Sequence, residues 1–198
     1  MKKAIIFLFM AMPLLASCGG TKVARLDTGS TVDLSGRWND ADSRMAAEEL
    51  IDDCLSFPWL RNARAAKGDN PTVIVGAVRN KSSEHLNTGV LVQDLQRALI
   101  KSGKVDFVAS GSDRDAIRNE RFDQAVNASA ETRKEHGQEA GADFMLNGTI
   151  QTIEDREGGK SVILYQVDMQ LQDMTSNKIV WSGQKKIKKQ IKRSSSKW

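Results

Sequence analysis

The amino-acid sequence predicts an α/β fold of the α+β kind, a single domain whose mixed sheet of about four to six strands ends in an antiparallel three-stranded segment, with helices packed on it. Three observations predict it. Between residues 72 and 109 a β-branched run, a helical apolar stripe and a second apolar run follow one another, the order of a βαβ unit. From Ala142 onward, strand-like segments recur between polar turns, with period-two alternation clearest around Tyr165, as antiparallel strands require. Apart from Cys18, in the small-residue segment near the start, the only cysteine is Cys54, so no disulfide is expected within the domain and the fold stands on its core, for which about 180 residues suffice.

The first residues read as an address. Met1-Lys2-Lys3 is basic, and residues 4–16 carry no charge and are mostly Ile, Leu, Phe, Met and Ala, the pattern of a secretory signal. As a helix this run rises only about 20 Å, short of the roughly 30 Å hydrocarbon core, so no permanent span is expected. Leu15-Ala16-Ser17-Cys18 resembles the lipobox of bacterial lipoproteins, small residues before a cysteine whose thiolate is alkylated by a diacylglyceryl group. The resemblance implies a lipid on Cys18. Gly19-Gly20, in place of the aspartate of an inner-membrane retention signal, implies the outer membrane. The expected organisation is a signal peptide over residues 1–17, a short tether over 18–30, a periplasmic domain over 31–193 with an N-terminal extension at 31–60, and a polar tail at 194–198.

Within the domain, Val32-Asp33-Leu34 is read as a short strand. Asn39-Asp40 opens a helix whose stripe of Ala47, Leu50, Ile51, Cys54 and Leu55 faces the core, and the helix ends near Pro58. Residues 61–70 read as a polar connection, and residues 72–78 as a buried strand. Asn87 or Thr88 caps a helix lined by Leu91, Leu95, Ala98 and Leu99 and stopped by Gly103, and residues 105–109 form the next strand. Ser112 to Asp115 starts a weakly amphipathic helix with Ile117, Phe122 and Val126 as its apolar positions, and Ser129 caps another that runs to Ala140. Residues 142–153, 161–171 and 178–191 are the antiparallel strands, joined by a loop at 154–160 and a turn at Thr175-Ser176-Asn177. Tyr165, Val167, Met169 and Leu171 take one face of the middle strand. Gln166, Asp168, Gln170 and Gln172 take the face left to solvent or a partner.

The formal charge of +4 is unevenly spread. Lys2 and Lys3 belong to the signal, and Lys185, Lys186, Lys188, Lys189, Lys192, Arg193 and Lys197 crowd the last fourteen residues with no acid among them. Taking these nine from 29 basic residues leaves 20 against 25 acidic ones, so the body is mildly acidic and the end basic. Such a basic end suits an anionic envelope polymer or lipid, while outside the cytoplasm nucleic acid is no partner. Its Ile187 and Ile191, at strand spacing among lysines, equally suit an edge strand guarded against aggregation. No catalytic site, metal site or cofactor-binding motif is expected. His85 and His136 are the only histidines and stand in no metal pattern, His85 beside Ser82 and Ser83 in a polar loop is read as surface, and no phosphate-binding glycine loop or nucleophile elbow occurs. Trp38, Trp59 and Trp181 are read as packing residues; Trp198 lies in the tail.

Three segments carry a wider resemblance: residues 72–87 (TVIVGAVRNKSSEHLN), 141–149 (GADFMLNGT) and 166–183 (QVDMQLQDMTSNKIVWSG). They resemble the LpoB-type activators of penicillin-binding proteins, within the wider group that includes the curli secretion lipoprotein CsgG. The resemblance implies a non-enzymatic, outer-membrane-anchored periplasmic domain that stimulates a bifunctional peptidoglycan synthase by direct contact. The alternative is a structural subunit of an envelope or secretion assembly. A membrane pore is not expected, because no long inserted hairpin occurs near residues 154–160. The segment from Asp33 to Trp59 is an addition relative to those activators, and the tether reaches only on the order of 50 Å.

Overall fold

The computed structural model describes residues 23–109, 111–129, 131–132 and 139–192. The chain separates into two units, Met1–Ser30 and Thr31–Trp198. In the first, Asp27 accepts hydrogen bonds from the backbone N–H of Gly29 and Ser30, closing a turn. The second contains helices α1 (Asp40–Ser56), α2 (Pro58–Lys67), α3 (Thr88–Ser102) and α4 (Gly111–Asn127) and strands β1 (Thr72–Asn80), β2 (Asp106–Phe107), β3 (Phe144–Glu157), β4 (Lys160–Asp173) and β5 (Ile179–Lys192). The strands form one mixed sheet in the order β2-β1-β3-β4-β5. β1 pairs in parallel with β2, and β3, β4 and β5 pair antiparallel, as the sequence predicts; β1 also pairs in parallel with β3.

α1 begins with a reciprocal cap: the Asn39 side chain accepts from the Asp42 N–H while the Asp42 carboxylate accepts from the Asn39 N–H. Its apolar stripe, Ala47, Leu50, Ile51, Cys54 and Leu55, is buried against α3 and the sheet together with Leu91, Leu95 and Leu99. Each fully buried Leu or Ile contributes about 2 kcal/mol, so α1 is a major part of the core. Cys54 is 1 % exposed, and burial pushes its thiol pKa up to about 12, which leaves it unreactive at neutral pH. Trp59 packs on Phe144 with ring centroids 5.0 Å apart and donates its indole N–H to the Cys54 carbonyl, tying α2 to both α1 and β3.

Five local expectations are corrected. Val32-Asp33-Leu34 is not a strand; these residues enter a strap across β5, where Asp33 is held by Lys189 and the Val32 carbonyl accepts from Asn39. Residues 61–67 are not a loop but the body of α2, which has Pro58 in its first turn and ends on Gly68 at φ 77°. β2 is only two residues long, because α3 delivers the chain to β1 for just two paired positions, Asp106 and Phe107. α4 forms, but Ile117, Phe122 and Val126 are exposed, the last two by 67 % and 68 %, because polar contacts hold the helix: Arg114 donates to the Ala109 carbonyl, and Arg118 and Arg121 reach Glu139. β3 and β4 run through the expected 154–160 loop to a turn of only Gly158 and Gly159, whose φ of 54° and 76° match the twist of a two-residue hairpin. Ser129 and Thr132 bond in a turn, while most of the helix expected after it, His136 included, lies outside the described residues.

Candidate partner-binding face

The two faces of the sheet are treated differently. On one, α1 and α3 pack on each other and on β1, β4 and β5. That face receives Tyr165, Val167, Met169, Leu171 and Trp181, all buried. Toward the far end of β4 and β5 the strap completes the cover. Trp38 stacks obliquely on Tyr165 with ring centroids 5.5 Å apart, and the Tyr165 hydroxyl accepts from the Trp38 N–H and donates to Glu84, which is paired with Arg37 at 2.7 Å. Burial, and then the Glu84 carboxylate beside it, push the Tyr165 hydroxyl well above the usual phenol range, so it stays a donor. Lys189 lies beneath the strap between Asp33 and Asp42 at 2.6 and 2.5 Å.

The other face carries no cover from α1, α2 or α3. Alternation places on it Arg79 of β1, Thr149, Gln151 and Ile153 of β3, Gln166 and Asp168 of β4, and Gln184, Lys186 and Lys188 of β5. Register aligns Arg79, Thr149, Asp168 and Gln184 in one row straight across four strands. A shallow hollow of about 510 Å³ lies over the β1, β3 and β4 members of this row, with Arg79, Lys81, Asn147 and Asp168 in its wall. In its wall the Asp168 carboxylate accepts from three glutamine amides, one from each of β3, β4 and β5.

The three segments of the resemblance meet in this hollow. The first supplies Ala77, Arg79 and Lys81, the second Asn147 and Thr149, the third Asp168, Gln170 and Gln172. Their remaining letters are structural. A Cβ on Gly76 would overlap Asn147, one on Gly148 would overlap Met169, and one on Gly183 would overlap the Trp181 ring. Asp143 accepts from the Thr72 N–H at 2.8 Å and pairs with Lys67 at 2.7 Å; burial works against its charge, but these partners hold the carboxyl below the usual carboxylate range. Asp173 accepts from the N–H groups of Thr175 and Ser176, which lets Asn177 take φ 58° in the β4–β5 turn.

The residues singled out in sequence fall as follows. Cys18, His136, Trp198, Arg193 and Lys197 lie outside the described residues. His85 is exposed, and Trp59 and Trp181 are in the core. The basic end divides: up to Lys192 it is the edge strand β5, with Lys185 paired to Glu49 and Lys189 to Asp33 and Asp42 inward, and Lys186, Lys188 and Lys192 exposed outward. The amide clasp on Asp168 was not foreseen. Its signal was the polar alternation of β4, which gives the face but not the register that brings Gln151 and Gln184 to one carboxylate. Among the described residues no group of three or more His, Cys, Asp or Glu is placed to hold a metal ion.

Comparison with known proteins follows the same lines. The family model of the peptidoglycan-synthase activator LpoB matches residues 42–187. Among solved structures, the LpoB C-terminal domain from Salmonella enterica is 18 % identical and aligns over 74 % of this chain and 98 % of its own, with a TM-score of 0.43. The NMR structure of LpoB from E. coli is 16 % identical over 95 % of this chain and 88 % of its own, with a TM-score of 0.44. The lipoprotein GNA1162 from Neisseria meningitidis is 19 % identical over 64 % of this chain and 88 % of its own, with a TM-score of 0.39. No curated protein sequence matches the chain. The family model spans most of the folded domain, from the first turn of α1 into β5, and on that match the chain belongs to the LpoB family of peptidoglycan-synthase activators.

Proposed function

We propose that this chain is an outer-membrane lipoprotein, anchored through Cys18, that binds a bifunctional peptidoglycan synthase of the penicillin-binding class with its uncovered sheet face and raises the enzyme's activity without chemistry of its own. One observation carries the reading: the three segments that resemble the activators converge on the face that α1, α2 and α3 leave open. A binder of this kind works by holding the enzyme in its faster state, which requires that it bind that state more tightly than the slower one. A polar face fixed by three antiparallel strands suits this task, since little of it must be ordered on binding.

The test is a glycan-polymerisation assay with the lipoprotein in detergent and each bifunctional synthase of its host. A rise of several-fold in rate with one of them is expected. Neither binding nor a change in rate with any of them overturns the proposal. Crosslinking in intact envelopes separates the alternative: a synthase in the crosslinked product supports activation, whereas outer-membrane proteins alone favour a subunit of an envelope assembly. Mass spectrometry of the processed chain checks the anchor, because the diacylglyceryl and acyl mass belongs on Cys18 and disappears in Cys18→Ala.

A further inference from the structure

We infer that Asp168 is the seat for a basic side chain of the synthase, with acidic residues of that partner on either side of it. The inference rests on the function proposed above and names the chemistry of the contact. Gln151 donates to the carboxylate at 3.0 Å, Gln166 reaches both oxygens at 2.9 and 3.0 Å, and Gln184 donates at 2.7 Å. These donors are neutral amides, so they orient the carboxylate and leave its charge whole. None of the ion pairs among the described residues includes it.

A half-buried, uncompensated charge held in one orientation is an unusual thing to leave on an open face. It has lost part of its hydration, and its side-chain entropy is already spent. Both favour a cation arriving from outside, which meets the carboxylate through its charge, since amide N–H groups already make two contacts to each oxygen. The surroundings are of opposite sign. Arg79 lies two strands away in the same row and Lys186 and Lys188 follow Gln184 along β5, so the face reads positive, negative, positive over about 14 Å at roughly 4.8 Å per strand. A uniformly anionic polymer or lipid surface would meet Asp168 as a repulsion. A folded partner with a base between acids meets none.

Three variants of the full chain test this against the full-length synthase in detergent, by titration at two salt concentrations with thermal melts alongside. Asp168→Asn keeps the shape and removes the charge; binding ten- to thirtyfold weaker at an unchanged melting temperature is expected. Asp168→Lys should abolish measurable binding, and Lys186→Glu with Lys188→Glu should weaken it and flatten its salt dependence. Binding within twofold of the unaltered chain for Asp168→Asn overturns the inference while synthase activation stands. Failure of the unaltered chain to bind any synthase takes both down. Should Asp168→Lys not fold, Asp168→Asn alone decides.

Discussion

Lys189 is a cation on the inner side of a strand, and its side chain is only 10 % exposed. Burial alone would lower its pKa; the carboxylates of Asp33 and Asp42 reverse the sign and hold it above the ordinary lysine value. A folded value raised above the unfolded one, about 10.4, stabilises fully below that pH, and the contribution is lost as pH rises through the folded value. Lys189→Met removes the partner of Asp42, which is buried, so a loss of about 3 kcal/mol in urea unfolding at pH 7 is expected, shrinking in strongly alkaline solution. An unchanged midpoint would show that the strap is not fastened there. Gly183 is a second single-residue constraint: the buried Trp181 ring lies over it and is fixed by an indole N–H to Asp53 at 2.8 Å. Gly183→Ala therefore should cost about 2 kcal/mol, read as a fall in melting temperature. In sequence, Gly183 and Trp181 were visible only as letters of a family-like word. What made them matter is same-face spacing on a strand backed by α1, a tertiary fact.

At the scale of elements, legibility followed periodicity. The stripes of α1 and α3 and the alternation of β4 were readable because each element meets the core on one side, and their cores are as the sequence predicts. α2 was missed because its short, Arg- and Ala-rich body buries only Trp59 and Leu60; Pro58 and Gly68, an opening proline and a closing glycine, are the signals that mark it. α4 shows the reverse, an apolar pattern with no face to fill. The segment from Asp33 to Trp59, an addition by sequence resemblance, carries α1 and with it nine buried residues, and the family match begins inside it. These contrasts predict unequal mutational costs. Ile51→Ala should destabilise by about 3 kcal/mol, as a buried large-to-small change does, whereas Phe122→Ser should move stability by less than about 0.5 kcal/mol. Chemical denaturation of the two variants measures both, and equal losses would mean that α4 is packed after all.

For the whole molecule, the question is how a small domain meets its enzyme. The sheet has a closed face that carries stability and an open one to which we assign recognition, so variants of Asp168 or Lys188 should alter binding while those of Ile51 alter folding, with little overlap. The open face was legible in part: its polarity came from alternation, its charge order only from register. The anchor proposed on Cys18 adds a length. From a lipid on Cys18 to Thr31, where the folded unit begins, the chain spans at most about 45 Å when extended. With the proposed anchor, a tether so short would keep the domain close to its membrane, and the synthase would have to present its binding surface within that shell. Deleting residues 21–28 shortens the contour by about 28 Å without removing any residue of the folded unit. The shortened chain should stimulate the synthase in detergent as well as the full one does, yet fail to crosslink to it in intact envelopes. Crosslinking at the original level would show that reach does not limit the encounter, and that the partner itself extends to the anchoring membrane.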